Sequence, residues 1–355
     1  MATEKITAQQ RAQLFASMTR QHHQMIGTKT IQGGAQTVEF TIPKTRLLQA
    51  VRVWVSGKIN VKHASETSVA LNKMDIYKSI RQCIIDLNNG FRPVQISGEH
   101  AALLSMIGPR SEMWLPSSDG STLAKCASAL TASPAGTDND FSFYLDLPLT
   151  TNERDMTGIV LAQSQETLIT LGLDVANAAA VINNKTGYTC EFTTMTFKVQ
   201  TVTYSIPSDS RCMPDLSILV IKDQKSDVFT AGQNSINLNT GMIYRKLMFK
   251  FENEDGTPMS LDKLNGNIEI VLNTADTPYV IDPTMLRAWN KIQTGVEMPE
   301  GVFFYDFSYQ GAASYGGARD LLDAERITFL EVRFNAAAGG KLTTVSEKLS
   351  RLIAG

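Results

Sequence analysis

Catalysis in this chain of 355 residues would have to rest on few groups. There are only four histidines, His22, His23, His63 and His100, and two of them stand side by side near the N-terminus. The four cysteines, Cys83, Cys126, Cys190 and Cys212, are far apart, with no CxxC pair and no histidine at zinc spacing. That pattern reads as reduced thiols, with Cys83 and Cys190 in strand-like alternations and expected in the core. Carboxylates gather at Asp138-Asn139-Asp140, at 152–155 (NERD) and at 320–325 (DLLDAE). All three are turn-like stretches, where Asp and Asn hydrogen-bond the local backbone. Asp138 and Asp140 make an incomplete cage for calcium. No GxSxG, HExxH, GxxxxGK[ST] or GxGxxG occurs, so neither a nucleophile elbow, a zinc helix nor a phosphate loop is expected. The reading is of a protein without catalytic, metal or cofactor residues. A net charge of -2 and aromatics confined to strand alternations also argue against direct nucleic-acid binding.

The elements that would position any site are strands. Residues 188–206, YTCEFTTMTFKVQTVTYSI, alternate in three bursts: Tyr188, Cys190 and Phe192; Met195, Phe197 and Val199; Val202, Tyr204 and Ile206. The phase slips at Thr193-Thr194 and at Gln200-Thr201, which predicts bulges or bends, in a strand long enough to cross from one sheet to another. Pro207 ends it, and 208–214 reads as a linker between two halves.

Those halves repeat one plan. CIIDLNN (83–89) matches IEIVLNT (268–274), and each is followed by a short capped helix, 97–107 and then 283–294. Ser97 and Asp282 are the expected N-caps, and Pro283 takes the first helical position. Met285, Trp289 and Ile292 share one face of the second helix. An aromatic strand closes each unit, FSFYLD (141–146) and VFFYDF (302–307). A Ser, Gly, Ala and Pro-rich excursion at 110–137 accounts for the different spacing and is expected on the surface. The fold class is all-β: two tandem β-sandwiches, each with enough short strands for two mutually burying sheets.

Both ends read as amphipathic helices outside these sandwiches. At 4–26, Thr7 and Gln10 suggest a capping box. Leu14, Met18 and Met25, flanked by Phe15, Ala12 and Ala16, fall on or near one helical face, with Arg11, Arg20, His22 and His23 around it. At the other end Thr344 and Glu347 suggest a second box, Val345, Leu349, Leu352 and Ile353 an apolar stripe, and Lys348 and Arg351 stand beside it. No apolar run of about 18 residues occurs, and MATEKITAQQ has no signal-peptide core. Neither export nor membrane crossing is expected.

Particular strings carry a resemblance. FSFYLDLPLTTNERDMTGIVLAQSQETLITLGLDVAN (141–177), CEFTTMTFKVQTVTYSIP running into PDLSILVI, and IDPTMLRAWNKIQTGVEMPEGVFFYDF (281–307) resemble, in order, segments of tectivirus major capsid proteins. ITAQQRAQLF is similar to that family's leading helix. The resemblance implies eight-stranded jelly rolls at 35–207 and 215–337, joined by 208–214 and flanked by helical arms at 1–34 and 338–355. It further implies a coat protein without enzymatic activity, forming homotrimers of nearly six-fold outline. These would tile an icosahedral shell over an internal membrane, beside penton and minor capsid proteins, in a virion assembled in a bacterial host's cytoplasm. On this reading the N-terminal arm meets lipid or a neighbour through Arg11, Leu14, Phe15, Met18, Arg20, His22 and His23. A C-terminal contact helix uses Val345, Lys348, Leu349, Arg351 and Leu352. The alternative is a glycan-binding spike or adhesin, with Trp114 and Tyr315 as its exposed aromatic platform.

Overall fold

The computed structural model describes residues 7–88, 90–108, 110–151, 156–161, 168–273, 276–309 and 321–351. The first half contains β1 (Gln21–Ile31), β2 (Thr37–Thr41), β3 (Leu47–Lys62), β4 (Ile80–Leu87), β5 (Phe91–Ile96), β6 (Thr137–Pro148), β7 (Ile169–Val175) and β8 (Thr189–Tyr204). The second contains β9 (Ile218–Phe229), β10 (Gly232–Asn237), β11 (Ile243–Asn253), β12 (Leu264–Leu272), β13 (Asp276–Ile281), β14 (Val302–Asp306), β15 (Leu330–Ala336) and β16 (Gly340–Arg351). Helix α1 (Ala8–Met18) leads the chain, α2 (Gly98–Met106) lies between β5 and β6, and α3 (Pro283–Thr294) lies between β13 and β14. The strand orders are β1-β8-β3-β6 with β2-β7-β4-β5, then β9-β16-β11-β14 with β10-β15-β12-β13. Adding eight to a strand's number gives its counterpart, so the two halves are one jelly-roll topology used twice.

Alternation drives each sandwich closed. Val51, Val53 and Val55 of β3, Phe143 of β6 and Phe197 of β8 meet Cys83, Ile85 and Leu171 of the facing sheet in one core. Phe249, Phe251, Phe303 and Leu342 meet Ile268, Ile270, Val332 and Phe334 in the other. The second core is held by rings edge-on: Phe251 lies 5.0 Å from Phe334 and 6.1 Å from Phe229.

The long strand β8 lies wholly within one sheet, between β1 and β3, and does not cross to the other. Its first phase slip is a bulge, because Phe192 pairs Ile59 while Thr194 pairs Lys58, leaving Thr193 extra. Gly57 sits there, and a Cβ on it would come within 2.3 Å of the Thr194 carbonyl oxygen. The second slip is met by the neighbours instead: the extra residues are Ile26 of β1 and Gln49 of β3.

The halves are not separate bodies on a hinge. β5 pairs in parallel with β9 through Val94 to Lys222 and Gln95 to Asp223, fusing the sheets into one that runs β14-β11-β16-β9-β5-β4-β7-β2. The linker segment carries a 3-10 turn at Ser210–Cys212.

Both terminal helical arms need correction. Helix α1 ends at Met18, and Gln21–Ile31 is β1, the first strand of the first jelly roll, paired antiparallel with β8. The segment 340–351 is not a helix at all. It is β16, the strand inserted between β9 and β11. The helix-like spacing of its apolar residues arises because both faces are buried: Leu342 points into the second core while Val345 packs against the first. The 110–137 excursion is also more than surface. Its Ala124–Lys125 pairs with β6, its Ala129–Thr131 pairs with Ser68–Ala70, and Trp114, Cys126 and Leu130 are buried.

Candidate assembly surfaces and the junction between the sandwiches

Chemistry-bearing groups converge in one place, the junction where α2 lies on the outer face of the β9-β16-β11-β14 sheet. Ser97 caps α2, its hydroxyl accepting from the His100 backbone N–H, and so aims the first turn at that sheet. Glu99 and Lys250 are both buried and 2.7 Å apart, and Lys250 also holds Glu252 at 2.8 Å. Burial alone would raise Glu99 and lower Lys250. The paired charges outweigh it, holding Glu99 down at about 2 and Lys250 above its ordinary value.

His100 Nδ1 lies 2.6 Å from Gln224 Oε1, which is an acceptor, so Nδ1 carries the proton. Burial, only partly opposed by Glu99, keeps the ring neutral by lowering its pKa. On the same sheet face Lys222 and Glu347 are 3.5 Å apart. Their shifts differ in kind. Glu347 is lowered despite burial because Lys246, Lys222 and Arg245 surround it, whereas burial and the like charge of Lys246 outweigh the Glu347 and Asp146 carboxylates near Lys222 and lower it too. Lys222 and Lys246 further donate to the first sandwich, to the Pro148 and Ile107 carbonyls at 2.8 Å each. Lys250, Lys222 and Lys246 are each committed to a carboxylate or a carbonyl. The arrangement fixes one sandwich on the other; the Ser97 hydroxyl lies 2.9 Å from His100 Nδ1, but that nitrogen carries the proton and offers the hydroxyl no base. Among the described residues, no group of three or more His, Cys, Asp or Glu could hold a metal ion.

The residues expected on the terminal arms are scattered by the fold. Phe15 is buried against Leu47, Met156 and Ile159, its ring 5.5 Å from that of Tyr204, so α1 is anchored on its own sandwich. Leu14 and Met18 are exposed, Arg11 is half-buried, and Met18 Sδ lies 3.3 Å from Cys212 Sγ. Arg20 follows the helix and its backbone N–H donates to Ser205, while His22 and His23 belong to β1 opposite Thr203 and Val202. The C-terminal contact helix does not exist among the described residues. Val345 and Lys348 are buried, Lys348 bonding Asp223 at 2.6 Å; Leu349 is half-buried and Arg351 exposed, and Leu352 lies outside the described residues. Sequence reasoning missed the buried charges altogether, since a lysine or glutamate on a strand ordinarily marks the solvent face.

The exposed apolar surface is elsewhere. On α3, Leu286 and Asn290 face inward, the Asn290 side chain donating to the Phe304 carbonyl at 2.7 Å and accepting from its N–H at 3.0 Å. Met285, Trp289 and Ile292 therefore stand outward and exposed. Trp114, one half of the expected glycan platform, is instead buried, with its carbonyl accepting from Tyr77 at 3.0 Å. Tyr315 lies outside the described residues.

No protein-family model matches the chain, and no curated protein matches it by sequence. Comparison of folds does find neighbours. The major capsid protein of STIV, Sulfolobus Turreted Icosahedral Virus, superposes with a TM-score of 0.69 at 13% identity, over 94% of this chain and 97% of that one. The PBCV-1 virus capsid gives 0.62 at 12% identity, with 95% of each chain covered. The major capsid protein P2 from bacteriophage PM2 gives 0.54 at 8% identity, over 95% of this chain and 99% of that one. The likeness is one of fold, the double jelly roll, and runs from end to end.

Proposed function

We propose that this double jelly-roll chain is the major coat subunit of an icosahedral virus. One observation carries the reading: both jelly rolls, in the same order, match the whole length of viral capsid proteins, 94% of this chain against 97% of the STIV protein. The subunit is read as a homotrimer in which six similar sandwiches form a nearly hexagonal unit. Such trimers tile a shell over an internal membrane and meet penton and minor capsid proteins at its vertices, in particles assembled in a bacterial host's cytoplasm. In that arrangement α1, with Arg11 and the following Arg20, faces lipid headgroups or the next trimer. Each cation contributes only about 1 kcal/mol at an anionic surface, so attachment would be collective.

Light scattering on the purified full-length protein, followed by electron microscopy as concentration rises, tests the reading. A three-chain mass that goes on to form hexagonally packed sheets or shells is expected. A stable single chain that stays monomeric and is retained on immobilised glycans would replace the coat reading with the adhesin.

A further inference from the structure

The repeat extends from the cores to the surfaces. Counting from the N-caps Ser97 and Asp282, His100, Leu104 and Ile107 of the first half correspond to Met285, Trp289 and Ile292 of the second. In the first half this face is covered by the second sandwich: His100 reaches Gln224 of β9, Glu99 reaches Lys250 of β11, and Leu104 and Ile107 are only 4% and 3% exposed. In the second half the same three positions are 64%, 43% and 69% exposed.

The surface that receives α2 has an uncovered counterpart as well. β3 and β11 each carry one bulged residue opposite their central partner, Gln49 and Arg245, which brings Trp54 into register with Lys250. Carrying the register across to the neighbouring edge places Met25, opposite Gln200, in register with Gln224, opposite Val345. Trp54 and Met25 are 36% and 53% exposed. The strand edges follow suit. Within the chain β5 pairs with β9; their counterparts β13 and β1 both end their sheets unpaired. Val280, 46% exposed, stands where Gln95 stands in β5. Six of the exposed large apolar residues, Met25, Trp54, Val280, Met285, Trp289 and Ile292, thus fall on positions whose counterparts are buried or half-buried in the junction.

We infer that α3 and β13 of one copy seat on the outer face of the β1-β8-β3-β6 sheet of a second copy, as α2 and β5 seat on the second sandwich within the chain. Met285 then meets Met25, Trp54 receives the first turn of α3 as Lys250 receives that of α2, and β13 lies parallel beside β1. The inference rests on the coat reading and names the surface through which that subunit self-associates. The contact is head-to-tail, so it repeats from copy to copy, and with the three-fold rotation of the coat reading it forms a ring of alternating first and second sandwiches. The chemistry also keeps the two seats distinct. The seat inside the chain is ionic and hydrogen-bonded, the one between chains apolar, and α3 placed on Lys250 would leave that buried ammonium without Glu99.

The test uses the full chain in two forms. Met285→Asp with Trp289→Asp should convert a three-chain mass in light scattering to a single-chain mass that still unfolds cooperatively. Met25→Cys combined with Met285→Cys should, on oxidation, give covalent species up to three chains on a non-reducing gel, while either single variant gives none of that length. A wild-type trimer that survives both aspartates and never crosslinks overturns this interface and leaves the coat reading standing. A wild type that is monomeric at every concentration overturns both. Should the aspartate variant misfold, the crosslinked pair alone decides.

Discussion

Asn88 and Asn273 occupy the same turn in the two jelly rolls, each in the left-handed region with φ of 58° and 47°. Asn88 donates its N–H to the Leu168 carbonyl, and its side chain accepts from the Leu168 N–H at 2.9 Å. Asn273 donates to the Phe329 carbonyl, and its side chain accepts from Thr328 at 3.2 Å. Asparagine is used because it tolerates this backbone and can bond across the turn. Alanine at either site should cost about 1 to 2 kcal/mol, and glycine, which loses only the side-chain bond, about 1 kcal/mol or less. Urea midpoints at unchanged slope check this.

Lys250 should be far less replaceable than a surface lysine. Lys250→Ala leaves Glu99 and Glu252 buried without their cation, an expected loss of about 3 to 5 kcal/mol. Lys58, exposed and 3.8 Å from Asp140, should change stability by about 0.5 kcal/mol at most when replaced by alanine. Chemical denaturation of the two variants compares them directly.

Acid should weaken the junction in two stages. His100 is held below its ordinary 6.5, so the unfolded chain takes up that proton first and stability declines as pH falls below 6.5. Glu99 is held near 2 against an ordinary 4.5, so its contribution is complete above 4.5 and disappears as pH falls toward 2. Thermal midpoints across pH 3 to 8 should show both limbs, and His100→Gln should remove the upper one only.

Gly57→Ala should be damaging for a backbone reason. Its Cβ would lie 2.3 Å from the Thr194 carbonyl oxygen and 3.1 Å from Met195 Cα, neither of which can swing aside. A cost of about 3 kcal/mol is expected. Gly172→Ala, whose Cβ would sit 3.8 Å from Ile84, is the control and should be close to neutral by the same melting assay.

The two ends should respond differently to truncation. Removing residues 1–18 uncovers Leu47 and Ile159 from under Phe15, at about 1.5 to 3 kcal/mol, and should leave a folded protein. Extending the deletion through Ile31 removes β1, and removing 340–351 takes the strand between β9 and β11. Both longer deletions should abolish soluble, cooperatively unfolding protein, as near-ultraviolet circular dichroism will report.

Local signals made the repeat legible in the sequence. The turns at Asn88 and Asn273, the Ser97 and Asp282 caps and the alternation of Val51, Val53 and Val55 are set by neighbours along the chain, and each stands where the pattern put it. The terminal strands were not legible for opposite reasons. β16 is buried on both faces, so Leu342, Val345 and Leu349 show helix-like spacing; the β-branched run Thr343-Thr344-Val345 was the signal to weigh. β1 is an edge strand, mostly exposed, with too few apolar residues to alternate. The junction charges escaped notice because only the docking of the second jelly roll makes their strand face an interior, a relation between residues 151 positions apart in the case of Glu99 and Lys250.

The placement of β16 has a consequence in time. It is the latest strand in chain order, yet it lies between two strands made long before it, just as β8 lies between β1 and β3. A growing chain can therefore complete its first jelly roll once β8 has emerged. During the synthesis of everything from β9 to β15, however, β9 and β11 wait with unsatisfied edges that invite pairing with other nascent chains. The risk is greatest where many ribosomes translate the same message side by side, so high-level production of this protein should depend on chaperones that shield those edges until translation reaches the last strand.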